Sequence, residues 1–250
     1  IWSGNTTSNG GACRIREVDQ VQITNCHFNR TLRGCRLQDI NSSGPVPSIT
    51  TGCTFLNQME SAVYLAANQY SFTDDNSEGC RYVTVSDCNI INCYNAALLS
   101  IGSRHCHFLN NTITHCANAG IQSWSSTDCS FVGNVLTDVN KLSHNGIGNL
   151  GDAHGCIHLS GNSGITANSG DYVGILKGNI LTKPNQGRAS DILGIKILEA
   201  GVSLPINFKV VLDENTIHGC DTDLENVTSI DVVTSGGGSV DLSAYSTTAQ

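Results

Sequence analysis

Within residues 83–136 the chain repeats one eight-residue phrase three times, as VTVSDCNI, CHFLNNTI and CSFVGNVL. Its first, third, sixth and eighth positions carry the pattern: Val83, Val85, Cys88 and Ile90, then Cys106, Phe108, Asn111 and Ile113, then Cys129, Phe131, Asn134 and Leu136. The sixth positions, 88, 111 and 134, lie 23 residues apart. A fixed interval of this size marks a chain wound into stacked coils, each of which buries its apolar face only against its neighbours. Weaker copies at 21–28, 48–55, 174–181 and 210–217 add sixth positions at 26, 53, 179 and 215. Intervals above 23 read as coils with inserted loops, and the step of 45 from Asn134 to Asn179 as one such coil or two.

The phrase has a direct physical meaning. Its first and third residues alternate as on a strand, with both side chains on one face. The fifth is Asn25, Gly52, Asp87, Asn110, Gly133, Gly178 or Glu214, mostly types that tolerate a left-handed turn. The sixth then points inward at a corner. Asparagines stacked there would bond to one another and to the turn backbone, satisfying groups that burial would otherwise leave unpaired. Cysteine in the same slot would fill space without that ladder.

Leucine-rich repeats and right-handed parallel β-helices both use such a unit, so the rest of the repeat decides. NCYNAALLSI after Ile90 and THCANAGIQSW after Ile113 align Cys93 with Cys116, Asn95 with Asn118, Leu98 with Ile121 and Ser100 with Ser123. These segments alternate apolar and polar residues after a small-residue turn and carry no helical period. Leucine is scarce in them. The expected fold is all-β: a right-handed single-stranded parallel β-helix of about 23-residue coils with inserted loops. It is assigned to residues 1–231, with 1–19 an incomplete first coil or a cap. Residues 232–250 lose the phrase and read as a terminal strand or tail.

Composition narrows the partners. The net charge is −8, and no basic run is interleaved with aromatics, which argues against nucleic acid. No apolar run is long enough to insert into a bilayer. Of twelve cysteines, Cys26, Cys53, Cys88, Cys106, Cys116 and Cys129 fall on apolar positions of the repeat, and they read as reduced interior thiols. Disulfides between adjacent coils are the alternative. Without a C-x-x-C pair, no zinc site is expected.

The wording N-x-I-x-x-C-x-x-A-G-I resembles the repeat of pectate-lyase-like right-handed parallel β-helix proteins, over roughly residues 21–217. That group includes polysaccharide lyases, glycoside hydrolases, uronan epimerases and bacteriophage tailspikes. The resemblance implies a polysaccharide or bacterial surface glycan as partner, a homotrimer of the tailspike kind, and a place on a virion tail or outside the cell. A free lyase or hydrolase and a non-catalytic structural β-helix are the other readings, since a shared fold transfers no activity.

In such a solenoid the outward residues of one sheet can line a groove for a polymer. Inward pairs Val63/Leu65, Leu98/Ser100, Ile121/Ser123, Ile157/Leu159 and Ile195/Ile197 leave Tyr64, Leu99, Gln122, His158 and Lys196 pointing out, followed by Trp124. Tyr64, Gln122 and Trp124 are candidate sugar contacts, with the tryptophan ring stacking on a pyranose. Glu60 and Glu199 flank them. Asp152 in the loop NKLSHNGIGNLGDAHG and Asp191 at a strand start are the candidate acid pair of a hydrolase. His158 and Lys196 are the candidate bases of a lyase. No cofactor is expected, except Ca²⁺ for a lyase, for which Asp74, Asp75 and Glu78 are the available carboxylates.

Overall fold

A computed structural model describes residues 11–42, 46–66, 79–124, 126, 128–139, 155–160, 172–182, 193–198, 208–220, 222–226, 231–235 and 246–247. They form a right-handed parallel β-helix. Every strand pairs in parallel with the equivalent strand one coil away, building three sheets of nine, eight and seven strands and no helix among the described residues. Sheet A stacks Cys13–Arg16, Cys35–Gln38, Val63–Ala66, Leu98–Ile101, Ile121–Trp124, Ile157–Ser160, Leu193–Leu198, Thr222–Asn226 and Ser246–Thr247. Sheet B runs from Gln22–Thr24 to Asp231–Ser235, and sheet C from His27–Asn29 to Thr216–His218. The repeated phrase supplies one strand of B, the corner, and one strand of C.

The corner between B and C behaves as the residue types require. All seven fifth-position residues are left-handed, with φ between 53° and 65°. Asn111 Nδ2 donates to Asn134 Oδ1 at 3.0 Å, Asn134 Nδ2 to Asn179 Oδ1 at 3.0 Å, and Asn179 Nδ2 to Asn215 Oδ1 at 2.8 Å. Each amide also donates to the carbonyl of a third-position residue one coil back: Val85, Phe108, Phe131 and Leu176. Asn134 and Asn179 are direct neighbours, so the 45-residue step is a single coil with long insertions.

The cysteines of this column do more than fill space. Cys53 Sγ lies 3.6 Å from Ile23 O and Cys88 Sγ 3.8 Å from Thr50 O, so the thiols reach the same third-position carbonyls as the amides. Cys53, Cys88, Cys106, Cys116 and Cys129 are buried as expected, but Cys26 is exposed. It belongs to the first coil of sheets B and C, so its column continues on one side only among the described strands.

All twelve cysteines are thiols. Burial pushes Cys80 and Cys88 up to about 12, whereas a hydrogen bond from Cys35, its register partner in sheet A, brings Cys13 down to about 7. Because the thiolate is the nucleophile, iodoacetamide near neutral pH is expected to label Cys13 and Cys26. The nine buried cysteines should react only after denaturant is added, as read by peptide mass spectrometry. Native labelling of Cys80 or Cys88 at a comparable rate would contradict this packing.

The core is a stack of apolar layers. Phe108 and Phe131 lie parallel, with centroids 5.3 Å apart and planes 7° from coplanar, and Phe28 and Phe55 repeat the arrangement at 4.9 Å. Ile90, Ile113 and Leu136 stack beside them, fully buried, in sheet C.

Candidate functional site on sheet A

The register of sheet A places the expected outward residues in one row along the axis. Leu99 pairs with Tyr64 and Gln122, Gln122 with His158, and His158 with Lys196. The row extends in both directions through residues that the repeat phrase did not flag: Arg14 and Arg36 before Tyr64, and Glu225 after Lys196. Adjacent strands lie about 4.8 Å apart, so each coil contributes one side chain per step.

The row is not an open groove. Tyr64 and Lys196 are 8% exposed, and Gln122 and His158 only 2%. A second apolar cluster sits on this outer side, formed by Tyr64, Ala66, Ala96, Leu99, Ile101 and Ala119 with Trp124 packed against it. At these positions the outside of sheet A is nearly as dry as the interior of the solenoid. The Gln122 Nε2 has no hydrogen-bond partner there. Trp124 keeps partial exposure at the end of its strand.

Arg33 joins two of the expected contacts. It forms an ion pair with Glu60, and its guanidinium lies 4.8 Å from the Tyr64 ring centroid. Arg36 approaches the same ring at 5.3 Å. A cation over an aromatic face is favourable, more so when water is excluded. Arg36 is itself 8% exposed, and Arg14 Nη2 donates to Gln38 Oε1 at 3.2 Å beside it. This end of the row therefore combines Arg33, Arg36, Glu60 and Tyr64. The signal for Arg36 was its position 28 residues before Tyr64, one coil earlier, on the polar side of the short alternation CRLQ.

The candidate acids Asp152, Asp191 and Glu199 lie outside the described residues, as do Asp74, Asp75 and Glu78 of the candidate Ca²⁺ loop. The structure brings His158 and Lys196 side by side on neighbouring strands. It also groups Glu60 with Tyr64 through Arg33, while Gln122 and Trp124 share one strand in the middle. Among the described residues no three His, Cys, Asp or Glu side chains are grouped to hold a metal ion.

No family model matches the sequence, and no curated protein matches it. Among solved structures, the chain is similar to the crystal structure of the Acinetobacter baumannii phage AM24 tailspike protein, at 12% identity and a TM-score of 0.41. The match covers 88% of this chain and 40% of that one, so the chain spans well under half the length of that protein.

Proposed function

We propose that this β-helix is a glycan-recognising module of the tailspike type, which engages a bacterial surface polysaccharide along the outer side of sheet A. The asymmetry between the three sheets carries the reading. The outer residues of B and C are a mixture of Thr, Ser and Asn with aliphatic side chains, at least partly open to water, as at Thr54, Thr84, Asn89, Thr112, Ser130 and Ile180. Sheet A instead holds Arg36, Tyr64, Gln122, His158 and Lys196 in one dry row. Buried polar and charged groups have to be held by partners to be tolerated, and a purely structural face has no need of them. Arginine, tyrosine and tryptophan are also the types that concentrate binding energy at recognition surfaces.

In this reading Trp124 and the Arg33–Glu60–Tyr64 group make the first contacts with the polymer, and the row behind them sets its register. Asp152 and Asp191, with Glu199 nearby in sequence, would supply the acid pair if the polymer is hydrolysed. His158 or Lys196 would act as base, with Ca²⁺ on the acidic loop, if it is eliminated. A homotrimer on a virion tail or at the cell exterior completes the proposal.

The test is binding and cleavage on a panel of acidic and neutral bacterial polysaccharides. Trp124→Ala is expected to weaken binding about tenfold with the fold intact by circular dichroism. Cleavage with a rise in ultraviolet absorbance would mean an unsaturated product and a lyase; new reducing ends without it would mean hydrolysis. Binding without cleavage would leave a recognition module. A folded protein that binds no polymer of the panel would overturn the proposal.

A further inference from the structure

Cys13 and Cys35 stand opposite each other on the first two strands of sheet A, as in-register partners of a parallel pair. Both belong to the inward set of their strands: Cys13 packs against the apolar core, and Cys35 is fully buried in it. Neighbouring strands of a sheet lie about 4.8 Å apart, inside the span of about 4.4–6.8 Å that a disulfide needs between its α-carbons. The Cys35 thiol donates a hydrogen bond to the Cys13 sulfur, which brings Cys13 down to about 7 and pushes Cys35 well up. The two sulfurs are therefore in contact and unequal. One is partly thiolate near neutral pH, and the other keeps its proton.

They differ in access and freedom as well. Cys13 is partly exposed, and its strand ends sheet A among the described strands, held through Cys35–Gln38 alone. Cys35 is pinned from the next coil. Its N–H donates to Ala62 O at 2.8 Å, and Gly34 before it packs so closely that a β-carbon there would stand 2.6 Å from the same carbonyl. The small approach of β-carbons that a bridge requires thus falls to Cys13. Other stacked thiols lack this combination. Cys93 touches Cys116 and Cys106 touches Cys129, but all four are buried. Cys26 is exposed beside the buried Cys53, yet their thiols turn to the carbonyls of Thr24 and Thr51, each at 3.4 Å.

We infer that Cys13 and Cys35 are a redox-active dithiol, in which a peroxide oxidises Cys13 and Cys35 closes a disulfide that staples the first coil of sheet A to the second. The Cys13 thiolate attacks one peroxide oxygen and the O–O bond breaks. Cys13 becomes a sulfenic acid, and the other oxygen leaves as hydroxide and takes up a proton to form water. The Cys35 sulfur then attacks the Cys13 sulfur. The S–O bond breaks, the hydroxyl leaves with the Cys35 proton as a second water, and the S–S bond forms. Two thiols have given up two electrons, and the peroxide has become two waters. A partly exposed sulfur with thiolate character beside a second cysteine is the arrangement that favours this course. The inference is independent of the glycan reading.

The test treats the folded full chain with hydrogen peroxide at pH 7, blocks the remaining thiols with N-ethylmaleimide, and reads the products by non-reducing peptide mass spectrometry. A link between Cys13 and Cys35 is expected to form at least about tenfold faster than one between Cys26 and Cys53, and dithiothreitol should reverse it. In Cys35→Ser, dimedone should trap Cys13 as its sulfenic acid, with no link formed. Closing the bridge should also slow hydrogen exchange at the Cys13 and Glu17 N–H groups, which donate to Gly34 O and Gln38 O, at least about tenfold. Oxidation of Cys13 no faster than that of Cys26, a link that appears only in urea, or a Cys26–Cys53 link formed first would overturn the dithiol. Exchange unchanged by the bridge would overturn its role as a staple.

Discussion

Replacing Asn134 by alanine is expected to destabilise the solenoid by about 3–5 kcal/mol, the loss being greater than for any surface substitution. The side chain is fully buried and serves four partners. Its Nδ2 donates to Phe108 O at 2.9 Å and to Asn179 Oδ1, and its Oδ1 accepts from the backbone N–H and the Nδ2 of Asn111, both at 3.0 Å. Alanine takes the acceptor from the Asn111 backbone N–H and from one of its two amide hydrogens, and the donor from the Phe108 carbonyl, where water does not reach, and each such loss costs about 1–3 kcal/mol. Asn134→Cys should cost less, because thiols at 53 and 88 already donate to the equivalent carbonyl in this column. Urea unfolding followed by circular dichroism checks both. A midpoint for Asn134→Ala close to that of the unaltered chain would show that the ladder contributes little.

Phe131→Ala is expected to cost about 3–5 kcal/mol by a different route. The ring is 1% exposed and stacks on Phe108, so its removal opens a cavity in the layer and forfeits an aromatic contact. Strands above and below are tied by ladder hydrogen bonds and cannot collapse into the gap, which puts the cost toward the upper end. Phe131→Leu should recover much of it. If alanine and leucine were equally tolerated in the same urea experiment, the apolar stack would not be what holds these coils in register.

Much of the architecture was legible because a solenoid writes its geometry along the chain. The phrase recurs wherever one coil stacks on the next, so strand, corner and strand could be read at Val83 to Ile90 and carried to Asn179 and Asn215. The alternation after Cys93 and Cys116 found the third sheet. Its first members, Cys13–Arg16 and Cys35–Gln38, were not legible in the same way. Both alternate, as CRIR and CRLQ, but four residues of alternation are too short a signal by themselves. The Tyr82–His105 ring stack and the His107–Ser130 contact, between sheets A and B, were missed although they were within reach: Tyr82, His105 and Asp128 repeat at 23 residues, as do Thr84, His107 and Ser130. They lie at or between positions that carry no apolar signal, so a search for buried periodicity passes over them.

Sequence by itself determined the winding, the left-handed corners, the asparagine column and the order of side chains along the outer row of sheet A, since each follows from a local preference repeated at a constant interval. Tertiary structure alone decided how wet those side chains are. Gln122 and His158 sit on the outer face of their strands and are nonetheless only 2% exposed, which no feature of their own sequence shows. The placement of Arg33 over Tyr64 likewise depends on two coils meeting. Burial and electrostatic pairing are properties of neighbours in space, and in a parallel solenoid each neighbour stands at least a full coil away along the chain.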